Sequence, residues 1–233
     1  MIKNKKASHV GVILSFVIFV TFLIFIFSIF GSPINFFQTK EPTLDYLEVE
    51  LENMLLSNLT ILTLSPEVTQ NCFSVDNSVY GLQGLDIIVK NQNNEIKLSE
   101  RGNTLYFYKG VDSFFKIYYA QDLSDYDVIV ANKELCYSVQ PEDINSFRQD
   151  YFYTEKNINN FISNYETNYS RLKEDLNLPL TTDFSFSFTN ATGGVIKTEQ
   201  RETSANIFAR EIPVQYFNKD AEIKSGFINL KVW

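Results

Sequence analysis

Residues 10–30 read VGVILSFVIFVTFLIFIFSIF, and apart from Gly11, Ser15, Thr21 and Ser28 every one of them is Val, Ile, Leu or Phe. A helix of that length rises about 31 Å at about 1.5 Å per residue, which matches the roughly 30 Å hydrocarbon core of a bilayer. At about −0.3 to −0.6 kcal/mol for each strongly apolar residue, insertion is favoured by roughly 5 to 10 kcal/mol, and the small hydroxyls can bond back to the helix. The expectation is therefore a transmembrane helix from Val10 to Phe30. Two alternatives fit less well. A cleaved secretory signal has an apolar stretch of about 7 to 15 residues, and a buried helix of a globular core is apolar on one face only.

Working outward, Lys3, Lys5 and Lys6 precede this stretch and no acidic residue occurs among the first 40 positions, so the N-terminus is expected in the cytoplasm. The expected location is the plasma membrane, single-pass, with the lipid bilayer as partner and the C-terminal domain outside. The corresponding division is a basic segment 1–9, a span 10–30, a linker 31–41 and one extracytoplasmic domain 42–233. All 28 acidic residues and 16 of the 20 basic ones lie beyond Lys40, a formal balance of −12. Such a surface repels nucleic acid, so no nucleic-acid partner is expected.

Within the outer part, Pro42-Thr43 opens a helical stretch with Leu44, Leu47, Leu51, Met54 and Leu55 at spacings of three and four. It reads as an amphipathic stalk or a core helix. Short β-branched and aromatic runs follow at Leu59–Leu64, Cys72–Val75, Leu85–Val89, Ile96–Ser99, Leu105–Tyr108, Phe114–Tyr119 and Val128–Ala131, and these predict strands. Turn chemistry at 91–94 and 101–103 predicts antiparallel hairpins in a meander. One further helix is expected from Thr154, as N-cap, to Leu176, and then strands over Phe184–Phe188, from Val195, around Asn206–Phe217 and over Ile223–Trp233. The predicted fold class is α+β: an N-terminal transmembrane helix, then a mainly antiparallel, β-rich extracytoplasmic domain.

Little in the sequence carries chemistry. The only histidine is His9, so the domain lacks the usual general base, and no Gly-x-Ser-x-Gly elbow, phosphate loop or HExxH helix is present. No enzyme, catalytic residue, cofactor or metal is expected. Asp122, Asp125 and Asp127 could seat Ca²⁺, with a solvated acidic turn as the other reading. Cys72 and Cys136 each open a similar pattern, Cys-Phe-Ser-Val and Cys-Tyr-Ser-Val. They form either a disulfide, worth roughly 4 kcal/mol in the chain-entropy model, or two buried thiols. Asn58, Asn168 and Asn190 begin glycosylation triplets, and Gly11 with Ser15 gives a small-xxx-small spacing suited to helix packing.

The run Lys5-Lys6-Ala7-Ser8, directly ahead of the apolar stretch and a β-rich domain, resembles the N-terminus of archaeal type IV pilin-like proteins. The resemblance implies a peptidase cut between Ala7 and Ser8 and a mature apolar helix that packs in a filament core. It implies a non-enzymatic prepilin-like or pseudopilin-like cell-envelope protein, a minor subunit of a surface appendage or secretion assembly, whose partners are other pilin-like subunits. Val12 stands where that family carries an acidic residue, and Gly31-Ser32-Pro33 interrupts a helix that the family continues. Those two departures motivate the alternative, a tethered adhesion or ligand-binding domain that forms no filament.

Overall fold

A computed structural model describes residues 6–29, 40–198 and 206–233, with side chains of the first helix described from 11 to 27. The chain divides into two compact units, Met1–Pro42 and Thr43–Trp233.

The first unit is helix α1, Lys6–Ile29. Among the described residues no helix is long and apolar enough to cross a membrane. This corrects the expected transmembrane helix over Val10–Phe30. It also corrects the placement that hung on it: single-pass in the plasma membrane, N-terminus cytoplasmic, domain outside, with the bilayer as partner. Phe30 and the expected linker up to residue 39 lie outside the described residues.

Helix α2, Glu41–Leu55, begins with an acidic residue and a proline in its first turn, both suited to the exposed N–H groups there. Its Leu44, Leu47, Leu51 and Leu55 are buried, whereas Met54 is exposed. It is a core helix rather than a stalk. The chain then runs directly into β1 (Leu56–Leu64), followed by β2 (Cys72–Asp76), β3 (Asp86–Asn91), β4 (Ile96–Lys97), β5 (Ser99–Glu100), β6 (Thr104–Tyr108), β7 (Phe115–Ala120) and β8 (Tyr137–Ser138). After these come β9 (Ile144–Thr154), α3 (Glu155–Thr167), α4 (Tyr169–Asp175), β10 (Phe184–Thr189), β11 (Val195–Lys197), β12 (Phe208–Phe217) and β13 (Ile223–Val232).

The strands form a curled nine-stranded sheet, ordered β11-β10-β13-β12-β9-β1-β7-β3-β4, and a smaller one ordered β5-β6-β2-β8. The expected hairpins across 91–94 and 101–103 form, joining β3 to β4 and β5 to β6. Asn91 holds the first of these turns by accepting the Asn93 and Glu95 N–H groups at 3.0 and 2.9 Å. The meander does not continue. Strand β6 pairs with β2 in the small sheet, and β7 crosses to lie between β1 and β3. The sheets are also mixed rather than uniformly antiparallel, because β2 pairs with β8 and β9 with β12 in parallel. Val128–Ala131 forms no strand; its Val128 and Val130 N–H groups bond Ser99 O and Glu100 Oε2 instead.

Three apolar clusters hold the unit. α2, α3 and α4 cover one face of β10, β13 and β12, burying Leu47, Phe161, Tyr165, Phe184, Phe186, Phe188 and Leu230. The small sheet covers one face of β1, β7 and β3, where Phe73 and Phe107 meet Phe115 and Tyr119. The other face of those strands carries Leu59, Ile88, Tyr118 and Ala120 against Phe217 and Ala221. The predicted single helix over Thr154–Leu176 breaks at Asn168 into α3 and α4, while Thr154 caps α3 as expected, accepting Asn157 N–H at 3.0 Å.

Among the described residues, strand pairing joins the two halves of the large sheet only where Tyr153 and Thr154 of β9 pair with Tyr216 and Phe217 of β12. Most other sheet edges are closed off. β4 and β11 are two and three residues long. Beyond β11, the β10 edge is satisfied by hydroxyls: Tyr165 donates to Phe184 O at 2.6 Å, and Thr198 Oγ1 accepts Phe186 N–H at 3.0 Å. β12 carries Pro213, which has no N–H to offer.

Candidate functional site

On β10 and β13, alternation sends Phe184, Phe186, Phe188, Ile228, Leu230 and Val232 to the helices and the residues between them to the opposite face. That opposite face holds a cavity of about 410 Å³, lined by Ser185, Ser187, Lys197, Thr198, Asn229 and Lys231. The register sets Ser187 against both Lys197 and Asn229, and Ser185 against Lys231, so two lysines, two serines and an asparagine line one cavity. Asn229 Oδ1 is buried without a hydrogen-bond partner among the described residues. Neither lysine is in an ion pair among the described residues, although the unit as a whole is acidic. The arrangement suits a small, hydroxyl-rich anion. It lacks a histidine or carboxylate to act as base, and no hydrogen bond joins either serine to either lysine among the described residues.

Other charged groups are committed to the fold. Arg101 reaches Asp86 Oδ1 at 3.2 Å, Asp125 Oδ1 at 3.3 Å and Ser124 O at 2.7 Å. Its backbone N–H donates to Asp127 Oδ1, and Lys156 pairs with Asp122. Two aspartates of the acidic turn thus pair with cations, Asp125 with Arg101 and Asp122 with Lys156, and the third, Asp127, ties the loop down by accepting a backbone N–H. Among the described residues no group of three or more His, Cys, Asp or Glu is arranged to hold a metal.

Lys90 is buried on β3, donating to Ala221 O at 3.2 Å with the Tyr118 ring 5.3 Å away. Burial pushes its ammonium below the usual lysine range, while Glu222 and Asp220 pull the other way. Tyr153 is pushed up to about 12, first by burial and then by Glu52 and Glu48.

Cys72 and Cys136 are bonded as a disulfide. The two matching tetrapeptides lie side by side in parallel, Phe73 beside Tyr137 and Ser74 beside Ser138, which is what sets the sulfurs together. Asn58 and Asn168 are exposed, on β1 and at the α3–α4 break. Asn190 is half-buried, and its Oδ1 organises the β10–β11 turn by accepting Thr192 N–H, Thr192 Oγ1–H and Gly194 N–H. Ala7 and Ser8 belong to the first turns of α1; Gly11 and Ser15 are exposed further along it, and a Cβ on Gly11 would meet nothing within 4 Å.

None of the cavity residues stood out in the sequence. The signal that could have found them is the polar half of an alternating pattern, Ser185 and Ser187 between phenylalanines and Asn229 and Lys231 between aliphatics. No family model, curated protein or solved structure matches the chain.

Proposed function

We propose that the chain is a non-enzymatic, pilin-like subunit of a surface appendage or secretion assembly, in which α1 packs against the α1 helices of like subunits. The observation that carries this reading is the exterior of α1. Val12, Ile13, Phe16, Ile18, Ile24 and Phe27 are each between 61% and 69% exposed along one helix. Burying one such side chain against another helix contributes about 1.5–3 kcal/mol, so a few of them outweigh the cost of ordering two chains. The resemblance at Lys5-Lys6-Ala7-Ser8 supports the same reading. So does the disulfide, which suits a protein working in an oxidising compartment.

Intact-mass measurement of the mature chain tests the processing step: the expected product begins at Ser8, and a chain retaining Met1 or beginning after Gly31 overturns the pilin-like reading. Sedimentation of the full chain tests assembly. Phe16→Glu should reduce it to a monomer, and an assembly unchanged by that substitution would remove α1 from the contact.

A second reading, a ligand-binding domain that does not assemble, is favoured by the cavity between Lys197 and Lys231. It requires a chain that stays monomeric with α1 intact and takes up a small carboxylated saccharide, with loss of uptake in Lys231→Ala.

A further inference from the structure

Among the described residues, β9 is a long edge that the fold leaves open without a proline to blunt it. It is 11 residues long, it contains no proline, and β1 occupies only one side of it. On the other side β12 pairs at Tyr153 and Thr154 alone, and from 144 to 152 no hydrogen bond crosses that edge among the described residues. Residues 145–149 are all exposed; Tyr151 is 71% exposed, and Phe147, whose ring stacks on Tyr80 at 5.9 Å, is still 44% exposed. Proteins usually blunt such an edge with a proline, a bulge, a short strand or a net charge, as β4, β11 and β12 here do. β9 has its only register irregularity at its very start, opposite Thr63/Leu64, and its two charges, Arg148 and Asp150, cancel by pairing with each other at 2.5 Å.

We infer that β9 pairs antiparallel with β9 of a second copy of this chain, about a two-fold axis at Gln149. In that register Arg148 lies opposite Asp150 of the second copy and Phe147 opposite its Tyr151, each pair occurring twice. All four charges meet opposite charges on one face, and the two exposed aromatic pairs close on the other. The neighbouring two-fold registers, centred on residue 148 or residue 150, set Arg148 or Asp150 against itself. Charge complementarity therefore selects a single register. The contact is separate from α1 and does not rest on the function proposed above.

The test uses the full chain and disulfide capture. Gln149→Cys places two sulfurs opposite each other at the axis and should give a cross-linked dimer under mild oxidation. Ser146→Cys, equally exposed, is offset by six residues from its symmetry mate and should not. Adding Arg148→Asp to Gln149→Cys should lower the dimer yield about tenfold, and adding Asp150→Arg as well should restore it. Capture should persist in the Phe16→Glu background, which separates this contact from helix-mediated assembly. Equal capture at 146 and 149, no capture at 149, or no rescue by the charge swap would each overturn the pairing. A near-ultraviolet spectrum unchanged from the parent shows that the variants keep their fold.

Discussion

The half of the large sheet built on β1, β7 and β3 is covered on both faces, whereas the half built on β10, β13 and β12 is covered by helices on one. Consecutive residues of the first half all enter a core: Ile87 and Val89 face the small sheet while Ile88 faces the opposite cluster, and Ile117, Tyr118, Tyr119 and Ala120 divide in the same way. In the second half only every other residue does. The consequence is written into the composition of the strands, unbroken apolar runs in one half and strict alternation in the other. The doubly covered half turns both faces to packing; the singly covered half carries the polar cavity.

The comparison can be broken most directly by truncation. Phe73→Ala removes a fully buried ring that packs on Phe107 and Phe115 in the doubly covered half, and should cost about 3–5 kcal/mol in denaturant unfolding. Ser187→Ala on the cavity face should stay within about 0.5 kcal/mol of the parent. Similar losses at the two positions would mean that the halves are not differently buried. Next in size, replacing Cys72 and Cys136 together by serine should lower stability by about 2–4 kcal/mol and loosen the small sheet first, as read by hydrogen exchange at β2 and β6. Retained exchange protection there would show that apolar packing alone holds that sheet.

Gly226→Ala sharpens the comparison within the singly covered half. A Cβ at this position of β13 would lie 2.7 Å from Thr189 O and 3.0 Å from the Phe188 ring, so the expected loss is about 1–3 kcal/mol despite the added methyl. An unchanged midpoint would mean that β10 and β13 separate freely at this point. The smallest effect concerns acid. The Lys97 ammonium bonds Asp112 at 2.8 Å and holds its carboxyl below the usual 3.8. Because the folded value lies below the unfolded one, this contribution is complete above the unfolded value and is lost as pH falls through the folded one. Asp112→Asn should therefore flatten the acid limb of a stability–pH profile and leave its neutral part nearly parallel; an unaltered limb would place the acid sensitivity elsewhere.

These same contrasts decided what could be read from the residues alone. The Phe184–Phe188 alternation, the Thr154 cap and the Leu44–Leu55 stripe each obey one local period and were legible. The disulfide stayed one of two readings, since only the parallel β2–β8 register sets the sulfurs together. β9 was not legible at all. Its sequence, INSFRQDYFYT, shows no alternation because residues 145–149 are exposed on both faces and burial imposes no pattern on them. The crossing of β7 away from β6 was hidden for another reason: a chain's choice between two neighbouring sheets depends on partners dozens of residues away. The apolar segment over 10–30 was read as a complete span from its length, a reading that the helix as described does not support. The cavity escaped because its residues are ordinary one at a time and become a set only when β10, β11 and β13 align.

The Cys72–Cys136 bond also has a mechanical consequence. A chain pulled between α1 and its C-terminal strand would transmit tension through the bond and bypass the 63 residues between the cysteines. At about 3.4 Å per residue, about 220 Å of contour length is withheld from extension. Strands β3 through β7, with β2 beyond Cys72, would remain a closed, unloaded loop while the rest of the chain, β8 included, carried the force.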